Sequence, residues 1–363
     1  GNLVLALDAR IQALAEAAIQ DVPGAVVVLD PGNGDVLALA SSPTFNPNQF
    51  VPIVPKVLWD QLNGDPARPM LNKAVAEVYA PGSIFKPVVA LAVLNSGLVS
   101  PDLVVNCPGY YMIGSKPMKC WNLNGHGRVD LRRSLEQSCN VYFATVAVKC
   151  GTEVISDMAV QFGLGSRTGL DLDREAPGLV PTADWKKKTW HDDWRIGDTC
   201  NLSIGQGALS VTPLQMAVVA ATLANGGTVY QPRLVLGLQD RKGIALTNYP
   251  VVKTRQLAVA PSVMQAVREG MHDVVMAQTG TGGRARIPGV EMAGKTGTAE
   301  YGEKGTGKKH GWMIVFAPYD KPRYAVAMVV DDAVSGGLTV GPRVRGLMMG
   351  IFGKSEAEGE AGG

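Results

Sequence analysis

Three short segments, far apart in the chain, carry side chains that together could perform nucleophilic acyl transfer: Ser83-Ile84-Phe85-Lys86, Ser138-Cys139-Asn140 and Lys295-Thr296-Gly297-Thr298. A serine hydroxyl is a poor nucleophile until a neighbouring base removes its proton. Residues three apart on a helix share one face, which would put Lys86 beside Ser83. To act as that base Lys86 must be neutral part of the time. Burial and a second cation, for which Lys295 is the candidate, would both lower its pKa. A helix starting at Ser83 would offer a backbone N–H as half of an oxyanion hole, with the Thr298 N–H as the other half. Ser138 could relay a proton between Lys86 and a leaving amine, while the Asn140 amide could hold a peptide carbonyl and orient Lys86. Lys295 with the Thr296 and Thr298 hydroxyls could bind a carboxylate, and Gly297 permits close approach of the backbone. Taken singly, these residues would read as a helix cap, a solvated lysine and ordinary turn residues; the ordered triplet is what points to chemistry.

These groups need elements to hold them. Asp8, followed by Ile11, Leu14, Ala15, Ala18 and Ile19, predicts an N-capped amphipathic helix. Ala25–Leu29 and Val36–Ala40 flank Pro31-Gly32-Asn33-Gly34, a hairpin signal. Near the other end 290–298, Trp312–Ala317 and Tyr324–Val330 read as three strands, the last two joined by the turn-like segment 318–322. The segment 340–351 predicts a closing helix. Between these ends a helix opens at about Ser83 and closes at Asn95-Ser96-Gly97. Leu131–Cys150 reads as two helical segments, and Thr212–Ala224 as a helix with Pro213 in its first turn. Asp171–Thr199 reads as a long loop. The fold class that follows is α+β: a five-stranded antiparallel sheet built from both termini, helices on both faces and an inserted helical lobe. The cleft between sheet and helices is the expected place for the site.

With 363 residues, 46% of them apolar, the chain can bury a large core in one elaborate domain or two closely associated ones. A net charge of +2 disfavours nucleic acid or a polybasic membrane surface as partner. No apolar run approaches the roughly 18 residues of a membrane-spanning helix, and no signal peptide opens the chain. The start at Gly1-Asn2 reads as a truncated form, so the lack of an anchor says little about the native protein. Residues 1–353 are expected to form the folded unit, with Lys354–Gly363 a disordered tail.

The order Ser-x-x-Lys, Ser-x-Asn, Lys-Thr-Gly is that of the penicillin-recognising serine acyltransferases. The chain resembles the transpeptidase domain of a class B penicillin-binding protein from Leu5-Ala6-Leu7-Asp8 through Pro342. Further matches are Gly24–Pro31, Tyr79-Ala80-Pro81-Gly82, Ser203–Gly207, Thr212-Pro213-Leu214-Gln215 and Ala293–Glu300. Cys120-Trp121, Gly125-His126-Gly127 and Ser138-Cys139 make it most similar to the elongation-type penicillin-binding protein 2. It departs at Asn140, as found in division-type enzymes, where the elongation type often carries Asp. The resemblance implies the penicillin-binding/serine β-lactamase-like fold and a D,D-transpeptidase acting on peptidoglycan stem peptides. Ser83 would attack the D-Ala–D-Ala bond, release D-Ala and pass the acyl group to an amine on a neighbouring strand; β-lactam antibiotics would acylate the same serine. No organic cofactor is implied. Full-length members carry a single membrane anchor and a pedestal domain, place this domain on the periplasmic or extracytoplasmic side, and work with a membrane glycan polymerase and an elongation scaffold protein. A serine β-lactamase or a D,D-carboxypeptidase would share the three motifs, but no motif for a hydrolytic base is recognisable. A β-lactam sensor domain would share them too, and the insert resembling penicillin-binding protein 2 ranks it lower.

Cys107, Cys120, His126 and Cys139 are spaced C-x12-C-x5-H-x12-C. Three thiolates and one imidazole suit a closed structural Zn²⁺ site. If Ser138 and Asn140 face the cleft, Cys139 between them points toward this insert, so a metal would brace the catalytic segment. Some elongation-type members resemble this, with Asp, His and Cys ligands near the same motif. The rival reading is a Cys107–Cys120 disulfide. Cys150 is expected on the apolar side of a helix and Cys200 in a loop.

Overall fold

Gly24–Leu29 (β1) and Val36–Ser42 (β2) form the expected hairpin. They join a sheet completed by Ala293–Glu300 (β3), Lys309–Ala317 (β4) and Tyr324–Val330 (β5). The strand order is β3-β4-β5-β1-β2, every neighbour antiparallel, so the first two strands pair directly with the last three. In this computed structural model residues 1–302 and 307–353 are described; the tail expected at Lys354–Gly363 lies outside the described residues.

The helices that matter to the site are Ala9–Ile19 (α1), Lys86–Asn95 (α2), Leu131–Glu136 (α3), Asn140–Cys150 (α4), Pro213–Ala224 (α5) and Gly341–Phe352 (α6). Asp8 caps α1, its carboxylate accepting from the Arg10 and Ile11 N–H groups. Thr212 and Gln215 form a reciprocal capping box at the start of α5. Alternation along β1 divides the interior. Val26 and Val28 face a core shared with Ile11, Ala15 and Ile19 of α1 and Val344, Leu347 and Ile351 of α6. Ala25, Val27 and Leu29 face the larger core, which holds α2, α4 and α5. With both faces covered, β1 is apolar throughout. Val88–Leu94 of α2 are buried, as an all-round apolar helix must be. That helix carries Lys86 into the interior.

The expected long loop at Asp171–Thr199 is corrected: Ala183–Trp190 is a helix and a second runs over Ile196–Ser203. Thr182 caps the former, but its Lys-rich body has no apolar stripe to announce it. Cys200 consequently lies buried within a helix and not in a loop. A small sheet of Asn2–Leu5, Val235–Gln239 and Ala245–Asn248 was also not apparent in the sequence. Its strands are only 4, 5 and 4 residues long.

Candidate active site

Ser83 lies in a single 3-10 turn, Gly82–Phe85, that runs directly into α2 at Lys86. Three contacts fix the turn. The Tyr79 N–H donates to Val211 O at 2.9 Å and the Gly82 N–H to Gly205 O at 2.8 Å. The Trp312 indole N–H donates to Ala80 O at 3.1 Å. The turn packs onto β3 at Gly297, where a Cβ would stand 3.0 Å from both Pro81 O and the Ile84 side chain. A side chain there would push the turn that carries Ser83 off the strand, which is why the Lys-Thr-Gly motif ends in glycine.

The second segment is held by the end of α3. Ser138 has φ +55°, the left-handed region, and the Cys139 N–H donates to Ser134 O at 2.9 Å, closing a Schellman-type cap. Glycine usually occupies such a position, and a serine there costs roughly 1–2 kcal/mol. The strain is retained where a hydroxyl faces the cleft. Asn140 then opens α4. A left-handed turn and a helix start thus present the two side chains.

Lys86 joins the segments. Its ammonium donates to Ser138 O at 2.8 Å, Ser138 Oγ at 3.2 Å and Asn140 Oδ1 at 2.7 Å. Complete burial pushes its pKa down to about 8, against the smaller upward pull of charge on Cys139 and Cys120. Lys295 is also completely buried and is lowered well below its ordinary value, first by burial and then by the Lys86 charge. Lys86 is thus lowered by burial as expected, whereas the expected contribution of Lys295 to that lowering is not found and the repulsion is felt at Lys295 instead.

Ser83, Ser138, Asn140, Thr296, Gly297 and Thr298 line one cavity of 620 Å³. β3 is the sheet edge and exposes this wall. Lys86 and Lys295 are not on it: Lys295 lies behind Thr296, its ammonium donating to Thr296 O at 2.9 Å. Lys295 would therefore act on a bound carboxylate through its field, with the Thr296 and Thr298 hydroxyls nearer. Sequence reasoning did not assign Trp121, Thr281, Arg284, Ser335 and Leu338 to the site; with Gly280, Gly283 and Gly337 they complete the lining. Thr281 accepts from Thr296 Oγ1 at 2.8 Å, and the Gly336 N–H donates to Thr298 Oγ1 at 3.2 Å. A second cavity of 660 Å³, lined in part by Arg167, Asp171, Glu175 and Arg233, holds none of the three motifs.

Cys107, Cys120, His126 and Cys139 converge, their ligand atoms all within 4.8 Å of one another. All five cysteines are free, so the Cys107–Cys120 disulfide is not formed. Two short hairpin-like ladders build the insert, Val105–Cys107 with Gly127–Val129 and Tyr110–Ile113 with Lys116–Lys119. Gly125, at φ +82°, lets the chain cross Cys107, where a Cβ would stand 2.2 Å from Cys107 O. The cluster touches the catalytic segment directly. The Asn140 N–H donates to Cys120 Sγ at 3.3 Å, and the Trp121 indole donates to Gln137 O at 2.8 Å. Hydrogen bonds from Cys139, His126 and the Asn140 N–H lower the Cys120 pKa against the opposing effect of burial, while the bond to Cys120 and burial raise that of Cys139.

Residues 24–349 match the family model of the penicillin binding protein transpeptidase domain. The peptidoglycan D,D-transpeptidase MrdA of Acinetobacter baumannii is 36% identical over 350 residues, 93% of this chain and 52% of that protein. The chain thus spans about half the length of the curated relatives it matches. Penicillin-binding protein 2 of Helicobacter pylori, solved in complex with MreC, superposes with a TM-score of 0.85 at 30% identity, covering 99% of this chain and 64% of that one. Penicillin-binding protein A of Mycobacterium tuberculosis, solved as a ceftriaxone acyl-enzyme complex, gives 0.86 at 31% identity, covering 97% and 80%.

Proposed function

Because the chain belongs to the penicillin-binding protein transpeptidase-domain family, we propose that it is the catalytic domain of a peptidoglycan D,D-transpeptidase, acting in cell elongation on the extracytoplasmic side of the membrane. The observation that carries this reading is the meeting of Ser83, Ser138, Asn140 and the Lys-Thr-Gly strand at one cavity, with a buried lysine behind it whose pKa is about 8. In the proposed mechanism neutral Lys86 takes the Ser83 hydroxyl proton as Oγ attacks the carbonyl of the penultimate D-Ala. The Ser83 and Thr298 N–H groups receive the developing oxyanion. Ser138, bonded to Lys86, passes the proton to the departing D-Ala amine. An amine on a neighbouring stem peptide then attacks the acyl-enzyme, and the Thr296 and Thr298 hydroxyls orient the carboxylate. β-Lactams would acylate Ser83 by the same first step.

The expected rate of acylation by a penicillin rises with pH. Below about pH 8 Lys86 is increasingly protonated, so the second-order rate constant should fall about tenfold per pH unit and level off above the pKa. The acyl-enzyme should persist for many minutes. A flat pH profile would remove Lys86 as the titrating base, and rapid release of hydrolysed penicillin would mark a serine β-lactamase or D,D-carboxypeptidase instead.

The full-length protein is proposed to be membrane-anchored, with an elongation scaffold and a glycan polymerase as partners. Among the described residues no helix is long and apolar enough to cross a membrane. The solved complex of the Helicobacter pylori protein with MreC supports the scaffold as partner.

The cysteine cluster is proposed to hold a structural Zn²⁺. A tetrahedral ion with ordinary Zn–S and Zn–N lengths puts sulfur and nitrogen about 3.5 Å apart. His126 Nδ1 lies 3.5 Å from Cys107 Sγ and 3.6 Å from Cys120 Sγ. The donor set therefore fits, and the group would supply rigidity to the Ser138–Asn140 turn. The purified domain should contain about one zinc per chain, and Cys120→Ser should lower metal content and Tm together. A metal-free domain with a Cys107–Cys120 disulfide by mass spectrometry would contradict the assignment.

A further inference from the structure

Among the described residues that line the catalytic cavity, Arg284 is the one with a charged side chain. It is exposed and has no ion-pair or hydrogen-bond partner among the described residues. Its neighbour Arg286 is spent on structure, donating to Val275 O at 3.0 Å, Met276 O at 2.9 Å and Ala277 O at 3.1 Å. The backbone under Arg284 is firmly placed. The Thr281 N–H donates to Glu136 O at 3.2 Å, the Gly282 N–H to Val274 O at 2.8 Å and the Ala285 N–H to Gly282 O at 2.9 Å, with Ala285 fully buried. Through the Thr296–Thr281 hydroxyl bond this turn is attached to the strand that carries Lys295 and Thr298.

We propose that Arg284 is a specificity-determining residue for the acceptor: it holds the carboxylate of an incoming amine whose reacting nitrogen shares its carbon with that carboxylate. This rests on the transpeptidase reading. The first half-reaction expels D-Ala, an amine with a carboxylate on the adjacent carbon. The reverse of that step is attack of the same amino acid on the Ser83 ester, so a guanidinium that lines the same cavity as the Thr296 and Thr298 hydroxyls can share an entering carboxylate with them. Once D-Ala has left, the guanidinium again faces an open cavity without a counter-ion, and its planar fork suits a carboxylate. In the transfer step the acceptor nitrogen forms a C–N bond to the acyl carbon and the bond from that carbon to Ser83 Oγ breaks. One proton leaves the nitrogen toward Lys86 through Ser138, and one returns to Oγ. The acceptor class this selects is the α-amino-acid end of a diamino acid, over the ω-amine of a lysine-type residue.

The test uses an N-acyl-D-alanyl thioester as donor and compares D-alanine with D-alaninamide at equal concentrations of unprotonated amine. The product is read as the ratio of aminolysis to hydrolysis, which is independent of how fast the acyl-enzyme forms. The domain is expected to favour D-alanine at least about tenfold, as a charge-assisted hydrogen bond allows. Arg284→Ala should remove that preference while the D-alaninamide ratio stays within about twofold, and Arg284→Lys should retain part of it. Equal transfer to both acceptors, or a loss in Arg284→Ala that is alike for both, would overturn the assignment while leaving the acyl-enzyme reading intact. A domain that forms no acyl-enzyme from the thioester would overturn both.

Discussion

Lys86→Ala is expected to slow acylation by a penicillin about 10²–10⁴-fold, the range of a positioned proton transfer. The side chain is buried without exposure, its amine is tied to Ser138 and Asn140, and no other cation among the described residues bonds to either. Deleting it also leaves Ser138 O and Asn140 Oδ1 without their donor, so the strained turn at Ser138 could shift. Lys86→Met separates the two effects, because it fills nearly the same volume and removes only the nitrogen. Both variants should melt cooperatively and both should acylate slowly. Near-normal rates at neutral pH in the two would take Lys86 out of the base role.

The parts of the fold with strong periodicity were legible. Tyr324–Val330 was read with the bounds it has, the Asp8 cap announced α1, Pro213 in the first turn announced α5, and the hairpin at Pro31–Gly34 set the start of the sheet. Ser83, the Ser138–Asn140 pair and the Lys-Thr-Gly strand were also legible as a constellation, because the chemistry proposed for them requires particular residue types at fixed spacing, and the structure brings them to one cavity. The remaining walls were not. Thr281, Arg284, Ser335 and Leu338 lie in turns whose position depends on long-range packing, and a lone Arg or Leu in a loop carries no spacing signal. Paired glycines at Gly282-Gly283 and Gly336-Gly337 were the available hint: a Cβ at Gly336 would stand 2.4 Å from Gly297 O, so that loop must touch the catalytic strand. The left-handed Ser138 was equally hidden, since serine is not the residue that backbone geometry selects. The burial of Lys295 behind Thr296 follows the alternation of an ideal strand.

Ser83→Ala should abolish covalent labelling altogether, a larger effect than loss of the base, because among the described residues no alternative nucleophile lines the cavity in the same position. Thr298 and Ser335 offer hydroxyls there, but Thr298 Oγ1 is engaged by the Gly336 N–H and neither is next to Lys86 in the chain. Ser138 bonds to Lys86 yet has its backbone held in the turn that ends α3. Ser83 alone combines a place on the cavity wall with the 3-10 turn that leads into the lysine. Intact-mass measurement of the domain after incubation with a penicillin tests this most directly. The account predicts a single adduct of one penicillin mass on the wild-type chain, mapped to the peptide containing Ser83, and none on Ser83→Ala that still folds. An adduct of the same mass on folded Ser83→Ala, or none on the wild type, would contradict it.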